Sequence, residues 1–178
     1  MISTTEYPSN ITAVQIRPGD WIRGDYRLIA CLRYSADELA KRLSIAFESG
    51  IEDGLGEYKA AAFRAPNERQ FSLTQYLQAV QGPATGICCL HDDQFPNDMD
   101  DVLESLDMDL SDLAIYESQL VISSEARLIP HALHRLHDND AHVLVEVFPC
   151  RANASRRLRL MEFSGHKQTY WIEPQKNL

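Results

Sequence analysis

The stretch Tyr26-Arg27-Leu28-Ile29-Ala30-Cys31-Leu32-Arg33, followed by Ser35-Ala36-Asp37-Glu38-Leu39, sets two periodicities side by side. In the first, Tyr26, Leu28, Ala30 and Leu32 alternate with Arg27, Ile29, Cys31 and Arg33. That period of two is a β-strand's, and it reads as one strand over residues 21–33. In the second, Ser35 precedes Glu38 by three residues, the spacing at which two side chains cap a helix reciprocally. Behind that cap Leu39, Leu43, Ala46 and Phe47 recur at helical intervals, and Gly50 sits where a C-terminal cap belongs. Residues 21–49 are therefore expected as a strand feeding a helix.

Working outward, Arg17-Pro18-Gly19-Asp20 suits a type II turn leading into that strand. Glu57 to Phe63 is expected as a second strand, ended by Pro66 and Asn67. Leu73, Tyr76, Leu77 and Val80 stand at i, i+3, i+4 and i+7 after Ser72, which predicts an amphipathic helix closed by Gly82-Pro83. Ile87-Cys88-Cys89-Leu90 is apolar on both alternating faces, as in a central strand. Met99, Val102, Leu103 and Leu106 form another helical set with Asn97 as its cap, and a second short helix is expected from Ser111 to Glu117. Gln119 to Ser123 reads as a strand, and Pro130 as the first residue of a short helix through His137. Ala141 to Phe148 alternates strongly, Arg157 to Phe163 alternates too, and Ser164-Gly165 turns into Gln168 to Glu173, which together read as a meander. The expected fold is α+β: a mainly antiparallel twisted sheet of about five to seven strands, packed by about three or four helices, with a C-terminal β-meander. A chain of 178 residues fits one globular domain spanning residues 1–178.

Composition excludes several classes. At 44% hydrophobic and 24% charged the chain is that of an ordinary globular protein. No apolar run reaches the ~18 residues needed to cross a bilayer, and Met1 to Pro8 lacks the basic and apolar regions of a signal peptide. Cys31, Cys88, Cys89 and Cys150 form no C-x-x-C pair and read as buried, reduced thiols, which points to the cytoplasm. Arg151, Arg156, Arg157 and Arg159 are too few for nucleic-acid binding in a chain of pI ≈ 5.1. Exposed faces, or pairing with acidic residues inside or between subunits, suit them better.

Charge supplies the strongest functional signal. Between Arg69 and Arg127 there is no Lys or Arg but eleven carboxylates, so this stretch contributes more than the whole net charge of −9. The helical spacing puts Asp98, Asp100, Asp101, Glu104 and Asp107 outside the apolar stripe, with Asp109 and Asp112 just beyond. Like charges repel, so a block without interleaved cations suits a docking surface for a basic partner better than it suits solubility alone. Neither Asp98 nor Asp107 starts an EF-hand loop: position six would be Leu103 or Asp112 where glycine is required. His131, His134 and His137 would lie on one flank of a helix, where neighbouring pairs could share a metal ion, though no H-E-x-x-H accompanies them. There is no nucleophile elbow and no Gly-rich phosphate loop, and Gly54-Leu55-Gly56 lacks its third glycine.

The function expected is that of an acidic cytosolic binding protein, most concretely an immunity protein that neutralises a basic toxin such as a nuclease. The partner-binding residues expected are Asp98, Asp100, Asp101, Glu104, Asp107, Asp109 and Asp112, with Phe95 and Tyr116 as aromatic anchors. No catalytic residue, metal ligand, cofactor, nucleic-acid or membrane partner is expected. A small metal-dependent enzyme built on His131, His134 and His137 is the alternative. A homo-oligomeric scaffold, its basic C-terminal residues pairing with a neighbour's acidic block, is the second.

Overall fold

The computed structural model describes residues 10–21, 24–78, 84–91, 98–116, 119–123, 128–137, 140–165 and 168–175. Its fold is α+β, with antiparallel sheets of six and three strands and three α-helices. The opening motif is present. Strand β2 spans Tyr26–Leu32, after the short β1 at Val14–Gln15, and helix α1 spans Ala36–Leu43. Both hydrogen bonds of the Ser35/Glu38 capping box form. The helix stops earlier than its apolar spacing predicts, because Ser44 takes the left-handed conformation (φ 53°, ψ 44°). Gly50 is not its cap but lies inside strand β3, Glu48–Glu52.

Strands β4 (Gly56–Arg64), β5 (Gln70–Tyr76) and β6 (Thr85–Leu90) complete the large sheet, in the order β1-β4-β5-β6-β2 with β3 also on β4. The helix expected after Ser72 is β5 instead. Leu73 and Phe71 alternate with Ser72 and Thr74, and pairing on both sides, Leu73 to Ala61 and Leu73 to Ile87, overrides the helical coincidence of Leu73, Tyr76 and Leu77. Val80 and the Gly82-Pro83 stop lie outside the described residues. One sheet face carries Ala61, Phe63, Phe71, Leu73, Ile87 and Cys89. These pack with Leu39 and Leu43 of α1 and with Met99, Val102, Leu103 and Leu106 in one hydrophobic core.

Helix α2 spans Asp98–Ser105, and all four of its expected apolar residues are buried. The expected cap Asn97 falls outside the described residues. The short helix expected from Ser111 to Glu117 is a 3-10 turn at Leu110–Asp112, followed by β7 (Ile115–Tyr116) and β8 (Gln119–Leu120). This segment covers the outer edge of β2: Ala114 N donates to Cys31 O (2.7 Å), Cys31 N to Val121 O (3.0 Å) and Ser123 N to Ile29 O (2.7 Å).

The C-terminal strands form the three-stranded sheet, order β10-β9-β11, from β9 (His131–Leu136), β10 (His142–Phe148) and β11 (Tyr170–Pro174). Residues expected as a helix after Pro130 are thus a strand, since Ala132, His134 and Leu136 alternate with His131, Leu133 and Arg135 and pair on both sides. Conversely, Arg157 to Phe163, expected as a strand of the meander, belongs to helix α3, Arg151–Phe163. That helix carries β10 back across β9, so β11 joins the far side of β9.

Candidate functional site

The acidic helix does not stand free. Helix α3 lies against α2, and its cations meet the carboxylates one turn after another. Arg151 pairs with Asp101 and, at 2.8 Å, with Glu104. Ser155 donates to Glu104 as well. Arg159 pairs with Asp107 at 2.6 Å, and Arg156 with Asp109 at 3.1 Å and Asp112 at 2.9 Å. Asp100 faces inward, 9% exposed, and accepts from the backbone N–H of Ala152 at 3.2 Å, so α2 supplies the carboxylate at the N-terminus of α3. Burial pushes its carboxyl above the ordinary range, against the pull of that hydrogen bond and of Arg151.

Asp112 is the hub of this seam, 1% exposed. It accepts from Tyr34 Oη (2.7 Å), Arg42 (3.0 Å), Arg156 (2.9 Å) and the backbone N–H of Asp109 (3.0 Å). Burial drives its pKa up, but these hydrogen bonds and the two guanidinium charges outweigh it and hold the carboxyl below the usual range. One side chain thereby ties α1, the turn after β2, the 3-10 turn and α3 together.

Most of the acids expected to form an outward-facing surface lie instead in the seam between α2 and α3. Asp100, Asp101, Glu104, Asp107, Asp109 and Asp112 do gather, but against α3, and five of these six touch an arginine of this same chain. A carboxylate already neutralised at contact distance attracts a distant cation weakly. Pairing within the subunit, one of the readings open for Arg151, Arg156 and Arg159, is the arrangement found. Asp98 begins α2, its side chain outside the description, as is all of Phe95. Tyr116 lies on β7 opposite Gln119, its ring likewise undescribed.

The histidines share no flank. His131 is 7% exposed with Nδ1 2.7 Å from Ile129 O, and the strand period sends His134 to the opposite sheet face. There His134 stacks on Trp171 (centroids 5.3 Å apart, 14° between planes) and pairs with Glu173 at 3.1 Å, while His142 meets the same indole edge-on. Exposed His137 lies past the end of β9. Among the described residues no group of three or more His, Cys, Asp or Glu is gathered to hold a metal ion. Cys150, at the N-cap of α3, comes nearest to a nucleophile beside an acid. Its thiol is fully buried and donates to Asn153 Oδ1 at 2.9 Å, and burial together with the Asp100 charge pushes it up to about 12. A protonated, inaccessible thiol is inert. In alkylation at neutral pH, Cys150 should stay unlabelled in the folded protein and label fully in denaturant, as read by peptide mass mapping. Labelling without unfolding would contradict this burial.

Among the described residues a second group of acids is displayed without a cation. Between Arg42 and Lys59 the sequence again has no Lys or Arg but four carboxylates, Glu48, Glu52, Asp53 and Glu57, a signal present in the sequence but outweighed by the longer block. They occupy the β3–β4 hairpin and all four are exposed. Among the described residues none of them meets a Lys or Arg, because nearby Lys59 is drawn to Asp37 of α1 at 2.6 Å. Gly54 (φ 82°) and Gly56 (φ 87°) shape the turn between the strands. Ile51, 78% exposed, and Leu55, 54%, stand among the acids, and Tyr76 Oη donates to Glu52 at 2.5 Å. The hairpin thus joins unneutralised charge, apolar contact area and a sheet edge. No helix among the described residues is long and apolar enough to cross a membrane. Compared with known proteins, the chain gives no match to a family model, to a curated protein or to a solved structure.

Proposed function

We propose that this chain is a protein-binding protein that engages a basic protein partner through the β3–β4 hairpin, most concretely as an immunity protein neutralising a cationic toxin such as a nuclease. The observation that carries the reading is the hairpin's charge: four exposed carboxylates that pair with no cation among the described residues, around exposed Ile51 and Leu55. Charge of one sign steers a partner of the other sign, and apolar side chains within it supply the area that is desolvated on contact. Acids of the α2–α3 seam support this role from within, by fixing the C-terminal sheet and helix to the rest of the fold. The four cysteines are free, which suits the cytoplasm as its place of action.

The test uses the protein encoded immediately upstream of this chain's gene, titrated calorimetrically at low and high salt. Reversing Glu48, Asp53 and Glu57 together to Lys should weaken binding at low salt by at least about tenfold, near 1.4 kcal/mol. It should leave the unfolding midpoint nearly unchanged, since none of the three sits in the core. Binding that ignores both salt and the three reversals would refute the reading.

A further inference from the structure

Strand β3 pairs with β4 alone, so among the described residues its outer edge presents backbone N–H and C=O groups with no strand beside them. Native sheets guard such edges with charged side chains, lysine above all, with proline, with a bulge or with a covering segment. Two other edges here are guarded: β2 by the backbone of Asp112, Ala114, Val121 and Ser123, and β10 by the irregular register between Leu144 and Glu146. Among the described residues strand β3 has neither a bulge nor a covering segment, and the only charges along it are the two carboxylates Glu48 and Glu52. Its sequence, Glu48-Ser49-Gly50-Ile51-Glu52, contains neither lysine nor proline, and its register on β4 runs without a shift from Glu48 opposite Ala60 to Glu52 opposite Gly56.

We propose that β3 is the docking edge for an extended, basic segment of the partner protein, which adds as a further strand to the six-stranded sheet. The inference rests on the proposed basic partner and specifies how it is held. Charge selects this occupant over a second copy of the chain. Antiparallel self-pairing centred on Gly50 would set Glu48 opposite the Glu52 of the other copy, and like charges directly opposite destabilise a strand pair. A basic strand meets the reverse situation. Strand periodicity places Glu48 and Glu52 on one face and Ser49 and Ile51 on the other. Between the two acids Gly50 leaves room where the Tyr58 ring comes within 2.5 Å of the position a Cβ would take, so the ring packs over the strand there. The matching segment carries Lys or Arg at alternate positions, over Glu48 and Glu52, and apolar residues between them, beside Ile51. Main-chain hydrogen bonds give such a complex its affinity, and the alternating side chains give it its specificity.

Two probes separate strand addition from charge attraction: a short peptide alternating Lys with Val, and the same peptide N-methylated along its backbone, which keeps every charge but loses the amide donors. We expect the first to bind, to protect amides within 48–52 from hydrogen exchange, and to lose at least about tenfold in affinity on methylation. Equal binding of both peptides, or binding without amide protection, would overturn the inference while leaving a basic partner in place. A salt-dependent complex with the upstream-encoded protein, together with no binding of either peptide, would overturn it too. Loss of salt-dependent binding to that protein would instead remove the reading on which the inference rests.

Discussion

Asp112→Ala should destabilise the fold by about 3 kcal/mol, the largest effect expected from any single carboxylate of the acidic block. The substitution leaves the N–H of buried Asp109 without its acceptor, takes the carboxylate from Tyr34 Oη and Arg42, and leaves Arg156 with Asp109 alone. Breaking a buried ion pair costs about 3–5 kcal/mol, and the lower end applies because both guanidinium groups keep about a third of their surface in water. Asp112→Asn retains an acceptor oxygen and should lose less. Urea unfolding of the two variants measures the difference, and a loss below about 1 kcal/mol for the alanine would mean the hub is dispensable.

Its sign with pH follows from the direction of the shift. A carboxyl held below its unfolded pKa stabilises the fold fully above the unfolded value, ~4, and that contribution fades as pH falls through the folded value. Asp100, raised by burial, acts oppositely: it opposes folding while ionised and stops doing so as pH falls and it is protonated in the folded state. Asp112→Ala should therefore have its full effect at neutral pH and a smaller one in acid, where the wild-type chain has itself lost this contribution.

Phe71→Ala should cost about 3–5 kcal/mol, the range for removing a buried phenyl ring from a core that closes only partly around the cavity. Phe71 is fully buried on β5, directly opposite Phe63 of β4, and the rings stack at 5.3 Å. Above the pair lie side chains of α1 and α2 in the same core, so the cavity would open at the contact between sheet and helices. Phe71→Leu, closer in volume, should retain most of the stability. Thermal unfolding decides between them, and an alanine variant that melts with the wild type would show that the ring does not hold the helices on the sheet.

The elements read correctly from sequence share one property: their signal is local. The β2 run, the Ser35/Glu38 capping box and the apolar stripe of α2 each specify conformation within a few residues, and each element is present. A register shift between Leu28 and Ala30 nonetheless breaks the alternation of β2 and buries Ile29 and Ala30 together. Misread elements share the opposite property. Leu73, Tyr76 and Leu77 fit a helical period, but Phe71 and Leu73 became strand residues because β4 and β6 flank them. Helix α3 was hidden because it packs on α2 partly through arginines, whose charge masks the apolar pattern that normally marks a helix. A helical rule gives His131 and His134 one flank, whereas the strand they form puts them on opposite faces.

The candidate site divides in the same way. By itself the sequence determined the fold class, the burial of Met99, Val102, Leu103 and Leu106, and the uneven placing of charge along the chain. Which of those charges reach solvent was decided by tertiary structure alone. Charge is counted along a chain but neutralised through space: Arg151, Arg156 and Arg159 lie about fifty residues from their partners in sequence and within contact distance in the fold. Their pairing draws Asp101, Glu104, Asp107, Asp109 and Asp112 of the larger acidic block into an internal seam. Among the described residues the smaller one, on the β3–β4 hairpin, is exposed and pairs with no arginine.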